Sequence, residues 1–483
     1  MVPKNNKPTK EAKIGIILFS VTVLSFMFLT PMFGDRQRIG IGNSDFQKTS
    51  SRNVLVKNNS NLEARISAGE EILVSANSNS DKELAAESFA RNTFTEASKL
   101  FDKSLETTSN DPEALIYLNN SIAATDPDPV KIAVSVPIGG SLDVAQEILR
   151  GVAQAQNEIN NNGKGGIERN GNKYPIQVII ANDNNDPEIA SQIAAEFAAD
   201  PEILAVIGHN SSGASLAAAP IYEEGNLVMV SPTSTASELT GNGNYIFRTT
   251  PSDEILAQTL ARYVVGKGGR SNIAICADFT SPASTSFAGS FSASIFQLGG
   301  KIVDTKCDFA SDDFNPDDIS SEAIARGAES LLLLPSVNKI NQALEVAKAN
   351  DNKLNLFGND SMYAYETLKV GRAEVNGMIL PVSWHSESTA DSSFNAEANK
   401  LWGMPGSWRT ASAYDAFISV AKGLSKANNR QQLQTTLAGS NFSVPGVMGE
   451  VKFQNSGDRL VEATLVRVRP GKNSGTGFDF KPI

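Results

Sequence analysis

Cysteine and histidine are scarce in this chain of 483 residues, and each scarcity excludes a class of site. The two cysteines, Cys276 and Cys307, cannot build a disulfide framework or a four-ligand zinc site. One bridge between them and two buried free thiols both remain open. The two histidines, His209 and His385, leave almost no material for a Ser-His-Asp triad or a histidine-based metal site. We interpret His209 as a structural side chain rather than a ligand.

Positive charge is also in short supply. The 42 Lys and Arg residues stand against 53 Asp and Glu residues, which gives a formal net charge of -11. Phosphate neutralisation needs clustered lysine and arginine, so this balance argues against nucleic-acid binding. The chain also lacks a GxxxxGK[ST] motif and a GxGxxG motif after a strand, and nucleotide binding has no support. Because no nucleophile-base pair or metal-ligand cluster emerges, we expect neither an enzyme nor a cofactor.

The most apolar stretch lies near the N-terminus. Residues 14–34 read IGIILFSVTVLSFMFLTPMFG, without a charged residue, and four lysines precede them within residues 1–13. This stretch is long enough to cross a bilayer, and the nearest small-x-small sequence, residues 40–42, lies beyond three charged residues. We therefore predict a short N-terminal tail followed by an uncleaved transmembrane anchor at 14–34. Residues 35–80 are rich in Ser and Asn and predict a flexible linker.

A helical pattern follows in residues 81–125. Four apolar residues recur there at helical spacing, namely Phe94, Ala97, Phe101 and Leu105. Asp111 and Pro112 then open a second helix, and the pair resembles one tetratricopeptide-type helical hairpin. A single repeat has no neighbour on which to bury its apolar face. A stalk packed on the main domain and a surface for a protein partner therefore remain alternatives.

Residues 126–483 read as one α/β domain, which begins at the two prolines of DPDPV. Short apolar runs, separated by helical stretches, follow in two sets. They are IAVSV (132–136), IQVIIA (176–181), ILAVIG (203–208) and LVMV (227–230), then NIAICA (272–277), KIVDT (301–305), SLLLLP (330–335), LNLFG (354–358) and GMILPV (377–382). Apolar runs with helical crossovers predict parallel strands buried on both faces, and two sets predict two doubly wound lobes.

Small polar residues follow several of these runs, at the strand ends where doubly wound sheets bind ligands. Ser211 and Ser212 follow ILAVIG, the segment SPTSTASELT (231–240) follows LVMV, and Asp360 follows LNLFG. A helix N-terminus with hydroxyls attracts a carboxylate, and a carboxylate attracts an ammonium. The pattern predicts a zwitterion site with opposite charges on opposite lobes. Ordinary helix caps and an ordinary turn at these positions are the alternative interpretation.

Eight short segments, in order along the chain, make a more specific likeness. They are NNNGKGGI, NDNNDPEIASQIAAEF, AVIGHNSSGAS, VSPTSTASELT, YIFRTTPSDE, LFGNDS, YDAF and GVMGEVKFQNSGDR. The series resembles the branched-chain amino acid (Leu/Ile/Val) binding proteins, which are solute receptors of ABC transporters, over residues 130 to about 470. The resemblance implies a type I periplasmic-binding-protein fold, in which two lobes joined by three crossing strands close on the ligand. It also implies that this domain faces the periplasm or cell exterior.

The same resemblance implies roles for the strand-end residues. It assigns the α-carboxylate of an amino acid to Ser212 and Thr235, beside Ser211. It assigns the ammonium to the carbonyl of Thr233 and to Asp360. These groups would take the place of the water around the ligand.

The residues that sense the ligand's side chain depart from the family. Ser336 stands where a tyrosine is common, and Val144 stands where an aromatic residue is expected. A small or polar amino acid, an amide or a urea-like molecule fits these changes better than leucine. We predict a membrane-tethered solute receptor that serves an ABC permease. The alternative is an envelope protein that contacts a protein partner through residues 81–125.

Overall fold

The computed structural model describes residues 62–161, 165–388 and 393–483, which all fall within one compact unit, Val56–Ile483. The predicted tail, the predicted anchor at 14–34 and most of the predicted linker lie outside the described residues. Within the described part of the chain, no helix combines the length and the apolar character that a bilayer crossing needs.

The described residues alternate between strands and helices. The strands are β1 (Ile66–Ser67), β2 (Val130–Val136), β3 (Ile167–Arg169), β4 (Asn172–Tyr174), β5 (Ile176–Asn182), β6 (Ile203–Ile207), β7 (Val228–Ser231), β8 (Ile246–Arg248), β9 (Asn272–Ala277), β10 (Lys301–Val303), β11 (Ser330–Leu334), β12 (Asn355–Gly358), β13 (Ile379–Val382), β14 (Val444–Gly446), β15 (Gly449–Val451), β16 (Thr464–Pro470) and β17 (Phe478–Pro482). The helices are α1 (Ser80–Ala90), α2 (Phe94–Thr107), α3 (Pro112–Ala123), α4 (Leu142–Asn160), α5 (Pro187–Ala199), α6 (Ser212–Glu224), α7 (Asp253–Arg262), α8 (Pro282–Gln297), α9 (Pro316–Ala325), α10 (Ile340–Asn350), α11 (Tyr365–Gly371), α12 (Ser393–Trp402), α13 (Trp408–Leu424) and α14 (Arg430–Leu437).

Lobe 1 is built on a six-stranded sheet with the order β1-β5-β2-β6-β7-β8. Strands β5, β2, β6, β7 and β8 are parallel, and β1 pairs antiparallel with β5. Helices cover both faces, so β2 and β7 are buried along nearly their whole length. The four apolar runs predicted for this lobe correspond to β2, β5, β6 and β7, and those predictions are confirmed.

Lobe 2 is built on a seven-stranded sheet with the order β10-β9-β11-β12-β13-β16-β17. Its first five strands are parallel and correspond to the five predicted runs. The last two strands are antiparallel additions that the run pattern does not predict. A disulfide joins Cys276, in β9, to Cys307, in the segment after β10, so the cysteines are bridged rather than free.

The chain passes between the lobes three times: after β8, after β13 and between β15 and β16. Buried hydroxyl pairs tie these crossings to their surroundings. The Oγ1 atom of Thr250 lies 2.8 Å from the Oγ of Ser383, which joins the first crossing to the second. Thr249 Oγ1 lies 2.9 Å from the Oγ of Ser412 in α13. The arrangement agrees with the two-lobed fold that the resemblance implies.

The N-terminal helices belong to lobe 1. Helices α2 and α3 cover the two predicted helices of residues 81–125, and α1 precedes them. The side chain of Asn120, in α3, donates to the carbonyl of Val178 at 2.7 Å and accepts from its N–H at 2.8 Å, along β5. Leu115 and Ile116 of α3 join the same buried cluster as Leu149 of α4. The helices are therefore packed on the main domain, which favours that interpretation over a separate repeat.

The prediction of a flexible linker is wrong for residues 62–80. Ile66 pairs with Ala181 and Ser67 pairs with Ile180, so this segment adds an edge strand to lobe 1. Backbone hydrogen bonds supply that pairing and need no apolar side chains. A composition rich in Ser and Asn therefore gives no warning of it.

A buried charge cluster holds α1, α3 and the preceding segment together. The Nζ atom of Lys82 lies 2.6 Å from Asp111 Oδ2 and 2.8 Å from Glu113 Oε2, and all three side chains are fully buried. Glu113 also accepts from the backbone N–H of Leu73 at 2.7 Å, and Asp111 caps the start of α3. Each buried charge thus has a partner, as burial of charge requires.

Candidate functional site

A cavity of about 280 Å³ lies between the lobes, where strands of both sheets end. Its walls come from the loops after β5, β6 and β7 in lobe 1, from those after β9, β11 and β12 in lobe 2, and from the start of α13. All six residues predicted from the sequence line this one cavity: Ser211, Ser212, Thr233, Thr235, Ser336 and Asp360. The strand ends therefore meet as the doubly wound topology predicts.

The start of α6 forms one wall of the cavity. Ser211 is the N-cap of this helix, and its Oγ accepts from the backbone N–H of Ala214 at 3.2 Å. The Oγ of Ser212 accepts from the N–H of Ala236 at 3.1 Å, so its own O–H stays available to donate. Both serines therefore have structural roles as well as positions at the cavity. The first backbone N–H groups of α6 lack intrahelical partners.

The hydroxyls of SPTSTASELT mostly satisfy the neighbouring loop. Ser231 donates to the carbonyl of His209 at 2.9 Å, and Thr233 Oγ1 donates to the carbonyl of Asn210 at 2.9 Å. The Oγ of Ser234 lies 2.7 Å from that of Ser215. These bonds fix the two loops against each other. The carbonyl of Thr233 accepts no hydrogen bond from the described residues and remains available to a ligand.

Arg248 holds the segment after β7 in place through hydrogen bonds, a role that the sequence pattern does not predict. Its side chain is 2% exposed. It donates to the carbonyl of Ala236 at 2.8 Å and to Thr240 Oγ1 at 2.6 Å. Its Nε donates to Asp458 Oδ1 at 2.6 Å, on the third crossing. The loop after β7 is therefore held rigidly, and its position is coupled to the crossings between the lobes.

Asp360 supplies a buried carboxylate from lobe 2. It opens a short 3-10 turn after β12 and is 6% exposed. Burial raises the pKa of its carboxyl to about 6, while the positive charge of Arg409 and the backbone N–H groups of residues 360 and 361 act in the opposite direction. Because burial disfavours the ionised form of this carboxyl, a cationic partner would stabilise that form.

Asp253, which the sequence does not single out, lies behind Thr235. Burial raises the pKa of the Asp253 carboxyl well above its usual range, and the nearby charge of Asp360 adds to this. The nearby hydroxyls of Thr235 and Ser286 act in the opposite direction on this pKa. The backbone N–H of Asp253 also donates to the carbonyl of Thr235 at 2.7 Å, which fixes this buried carboxyl beside the segment after β7.

Arg409 lies at the start of α13 and is 2% exposed. Its Nη1 donates to Glu147 Oε2 at 3.0 Å and to the carbonyl of Tyr363 at 2.8 Å, which links lobe 1 to lobe 2. Its guanidinium stacks on the ring of Trp408 at 4.6 Å. Arg409 also lines a second cavity of about 280 Å³, whose wall includes Val144. The cleft therefore continues past the first cavity.

His209 has the structural role that we predict from the sequence. Its Nδ1 lies 2.7 Å from Asp183 Oδ2 and its Nε2 lies 3.0 Å from the hydroxyl of Tyr222, all of them buried. Both ring nitrogens are thus occupied by protein partners. Among the described residues, no three His, Cys, Asp or Glu side chains are placed to hold a metal ion.

Comparison with known proteins places the chain in a family. A family model described as "Periplasmic binding protein" matches residues 129–473. This chain belongs to the periplasmic binding proteins. The family consists of binding proteins rather than enzymes and implies a location outside the cytoplasm. The likeness of this domain to Leu/Ile/Val-binding proteins, expected from the eight segments, is confirmed.

Individual relatives agree with the family match. The Leu/Ile/Val-binding protein of Escherichia coli K12 is 35% identical over 167 residues, which cover 34% of this chain and 42% of that protein. The match therefore spans less than half of that relative. BraC3, a Leu/Ile/Val-binding protein of Rhizobium johnstonii, is 24% identical over 71% of this chain and 92% of its own length. The crystal structure of leucine-binding protein LivK from Thermotoga maritima superposes with a TM-score of 0.64 at 20% identity, covering 73% of this chain and 97% of that chain, and shows the shared fold.

Proposed function

We propose that this protein is an extracytoplasmic receptor that captures a zwitterionic, amino-acid-like solute and delivers it to an ABC permease. One observation carries the proposal. The start of α6 and the polar loop after β7 come from lobe 1, Asp360 comes from lobe 2, and all line one cavity. The name of the Escherichia coli relative, a Leu/Ile/Val-binding protein, supports an amino acid as the solute.

The α-carboxylate of the solute would lie at the start of α6. The unpartnered N–H groups and the dipole of this helix favour an anion there. The hydroxyls of Ser212 and Thr235 would donate to the same carboxylate, beside the capping residue Ser211. Both hydroxyls are buried at the cavity wall.

The ammonium of the solute would lie between Asp360 and the carbonyl of Thr233. Charge-assisted hydrogen bonds of this kind contribute about 1.5–3 kcal/mol each. The loss of one should weaken binding about tenfold or more. Ser336, at the lobe 2 wall, would face the side chain of the solute and favours a polar group there.

The proposal includes a tether to the cytoplasmic membrane. The disulfide between Cys276 and Cys307 favours an oxidising compartment, and the charge-free stretch 14–34 is long enough to span a bilayer. The full chain should remain in the membrane pellet after alkaline extraction, whereas a chain without residues 14–34 should be released. Release of both chains alike would contradict the tether.

Calorimetric titration and thermal unfolding of the full chain in detergent test the receptor function. The ligands would be the twenty amino acids, urea and short amides. A true ligand at a hundred times its Kd should stabilise the fold by about 2.7 kcal/mol. Thr235→Val and Asp360→Asn should each weaken binding about tenfold or more.

Two matched controls carry the same chemical changes on exposed residues away from the cavity. Thr435→Val and Asp312→Asn should leave affinity unchanged. Folded protein that binds none of these compounds would contradict the proposal and favour a role in contact with a protein partner.

A further inference from the structure

Two cationic side chains at the cavity have no role in a simple zwitterion site. Lys339 ends the 3-10 turn Val337–Lys339 after β11, lines the cavity and is half-buried. It forms no ion pair within the part of the chain that the structure describes. Arg409 uses its Nη1 on Glu147 and on the carbonyl of Tyr363. Its Nε and Nη2 make no hydrogen bond with the described residues, although the side chain is almost fully buried.

The anionic side chains of the cavity do not neutralise these groups fully. Asp278 accepts from the N–H of Thr280 at 3.1 Å and from its hydroxyl at 2.5 Å. Its carboxylate therefore stabilises the turn that follows β9. Glu147 engages one nitrogen of Arg409 and lies in lobe 1. Asp360 interacts electrostatically with Arg409, but it is the group that would receive the ammonium. A guanidinium left half-partnered in a buried site favours an anionic ligand group.

We infer that the solute carries a second carboxylate and is an acidic, amino-acid-like molecule whose side-chain carboxylate binds Arg409 and Lys339. This inference rests on the proposed zwitterion site. The planar fork of an arginine matches a carboxylate with two parallel hydrogen bonds, and a lysine adds a point charge. Asp360 and Arg409 are electrostatic neighbours, just as the ammonium and the side-chain carboxylate are neighbours on a small acidic amino acid.

A solute with an aliphatic side chain would fit this cavity less well than an acidic one. The apolar lining consists of Pro187, Pro282, Ala283, Val337 and the ring of Trp408. An isobutyl group there would cover the guanidinium of Arg409 and the ammonium of Lys339 without supplying an acceptor. Desolvated polar groups that lose water and gain no partner oppose binding.

Titration of the full chain with matched pairs of ligands tests the inference. The two pairs are aspartate with asparagine and glutamate with glutamine, because the members of each pair have nearly the same shape and differ in side-chain charge. Leucine is the aliphatic comparison. The acidic members should bind about tenfold or more tightly than their amides. Lys339→Gln removes the point charge and leaves the fork of Arg409, so it should weaken the acidic ligands about fivefold or more and change the affinity for the amides by less than about threefold.

Lys339→Gln is the decisive variant because Arg409 also holds Glu147 and Tyr363 in place. Lys353→Gln makes the same change on an exposed lysine outside the cavity and should leave every affinity unchanged. Arg409→Lys keeps the charge but loses the fork, and it should weaken acidic ligands more than amides if it folds.

Several outcomes separate this inference from the proposed function. Tight binding of amides or leucine, with no preference for the acids, would overturn the inference and leave the zwitterion receptor standing. Equal losses for acids and amides in Lys339→Gln would also overturn it. Failure of every amino acid to bind would overturn both.

Discussion

At the scale of single residues, the Asp360 carboxyl couples stability to pH. Burial raises its pKa to about 6, against the charge of Arg409, whereas an unfolded Asp has a pKa of about 3.9. Between about pH 4 and 6 the folded protein therefore holds a proton that the unfolded chain releases. Unfolding releases that proton, so rising pH favours the unfolded chain across this window.

We expect the contribution of Asp360 to the free energy of unfolding of the ligand-free protein to decrease as pH rises from about 4 to 6. This decrease should be absent in Asp360→Asn. Affinity for a solute with an ammonium should move the other way and rise with pH, because ionised Asp360 is the binding form. Urea unfolding and calorimetric titration at closely spaced pH values measure the two effects. Asp312→Asn is the control, and an unchanged pH slope in Asp360→Asn would contradict the assignment.

Residues also differ in how far the sequence predicts their positions. Ser212, Thr235 and Asp360 each follow a buried apolar run closely, so the strand-end rule brings them to one cavity. Arg409 instead arrives from the start of α13, after the second crossing, and no local pattern marks it. Asp253 likewise gains its place from burial beside Thr235, which is a tertiary property.

At the scale of elements, the charge cluster of α1 and α3 makes a sharp prediction. Lys82→Met removes the cation between Asp111 and Glu113 and leaves two carboxylates buried without it. Breaking a buried ion pair from one side typically costs about 3–5 kcal/mol, and we expect a loss of that size in urea unfolding of the full chain. Lys103→Met, which breaks an exposed pair with Asp81, is the matched control and should change little.

If Lys82→Met and Lys103→Met cost equally little stability, the cluster would not be holding α1, α3 and the preceding segment together. Loss of ligand affinity in Lys82→Met is not expected, because the cluster lies far along the chain from the cavity residues and shares none of their contacts. Titration with the ligand found for the parent protein checks this second expectation.

Elements differ in predictability for a physical reason. Parallel strands such as β2 and β11 are buried on both faces, so their sequences read as continuous apolar runs. Strand β16 lies near the sheet edge, pairs antiparallel and alternates buried with partly exposed residues, which weakens that signal. Strand β1 has two residues, and pairing through the backbone leaves almost no trace in its sequence.

At the scale of the whole molecule, the ligand would be held by groups from both lobes, and the crossings between the lobes would act as the hinge. A ligand that contacts both walls favours the closed arrangement over an open one. We expect saturating ligand to lower the radius of gyration measured by X-ray scattering, and Asp360→Asn to need more ligand for the same change. Binding by calorimetry with an unchanged scattering curve would contradict hinge closure.

The attachment of the N-terminal segment to lobe 1 has a mechanical consequence. Strand β1 pairs with β5, and the side chain of Asn120 forms hydrogen bonds with the backbone of β5. Residues 66–123 are therefore expected to move together with lobe 1. A load applied to the chain ahead of β1 therefore enters the molecule through lobe 1 and bypasses the hinge. Lobe 2 can therefore move about the crossings without disturbing the contacts that hold residues 66–123 on lobe 1.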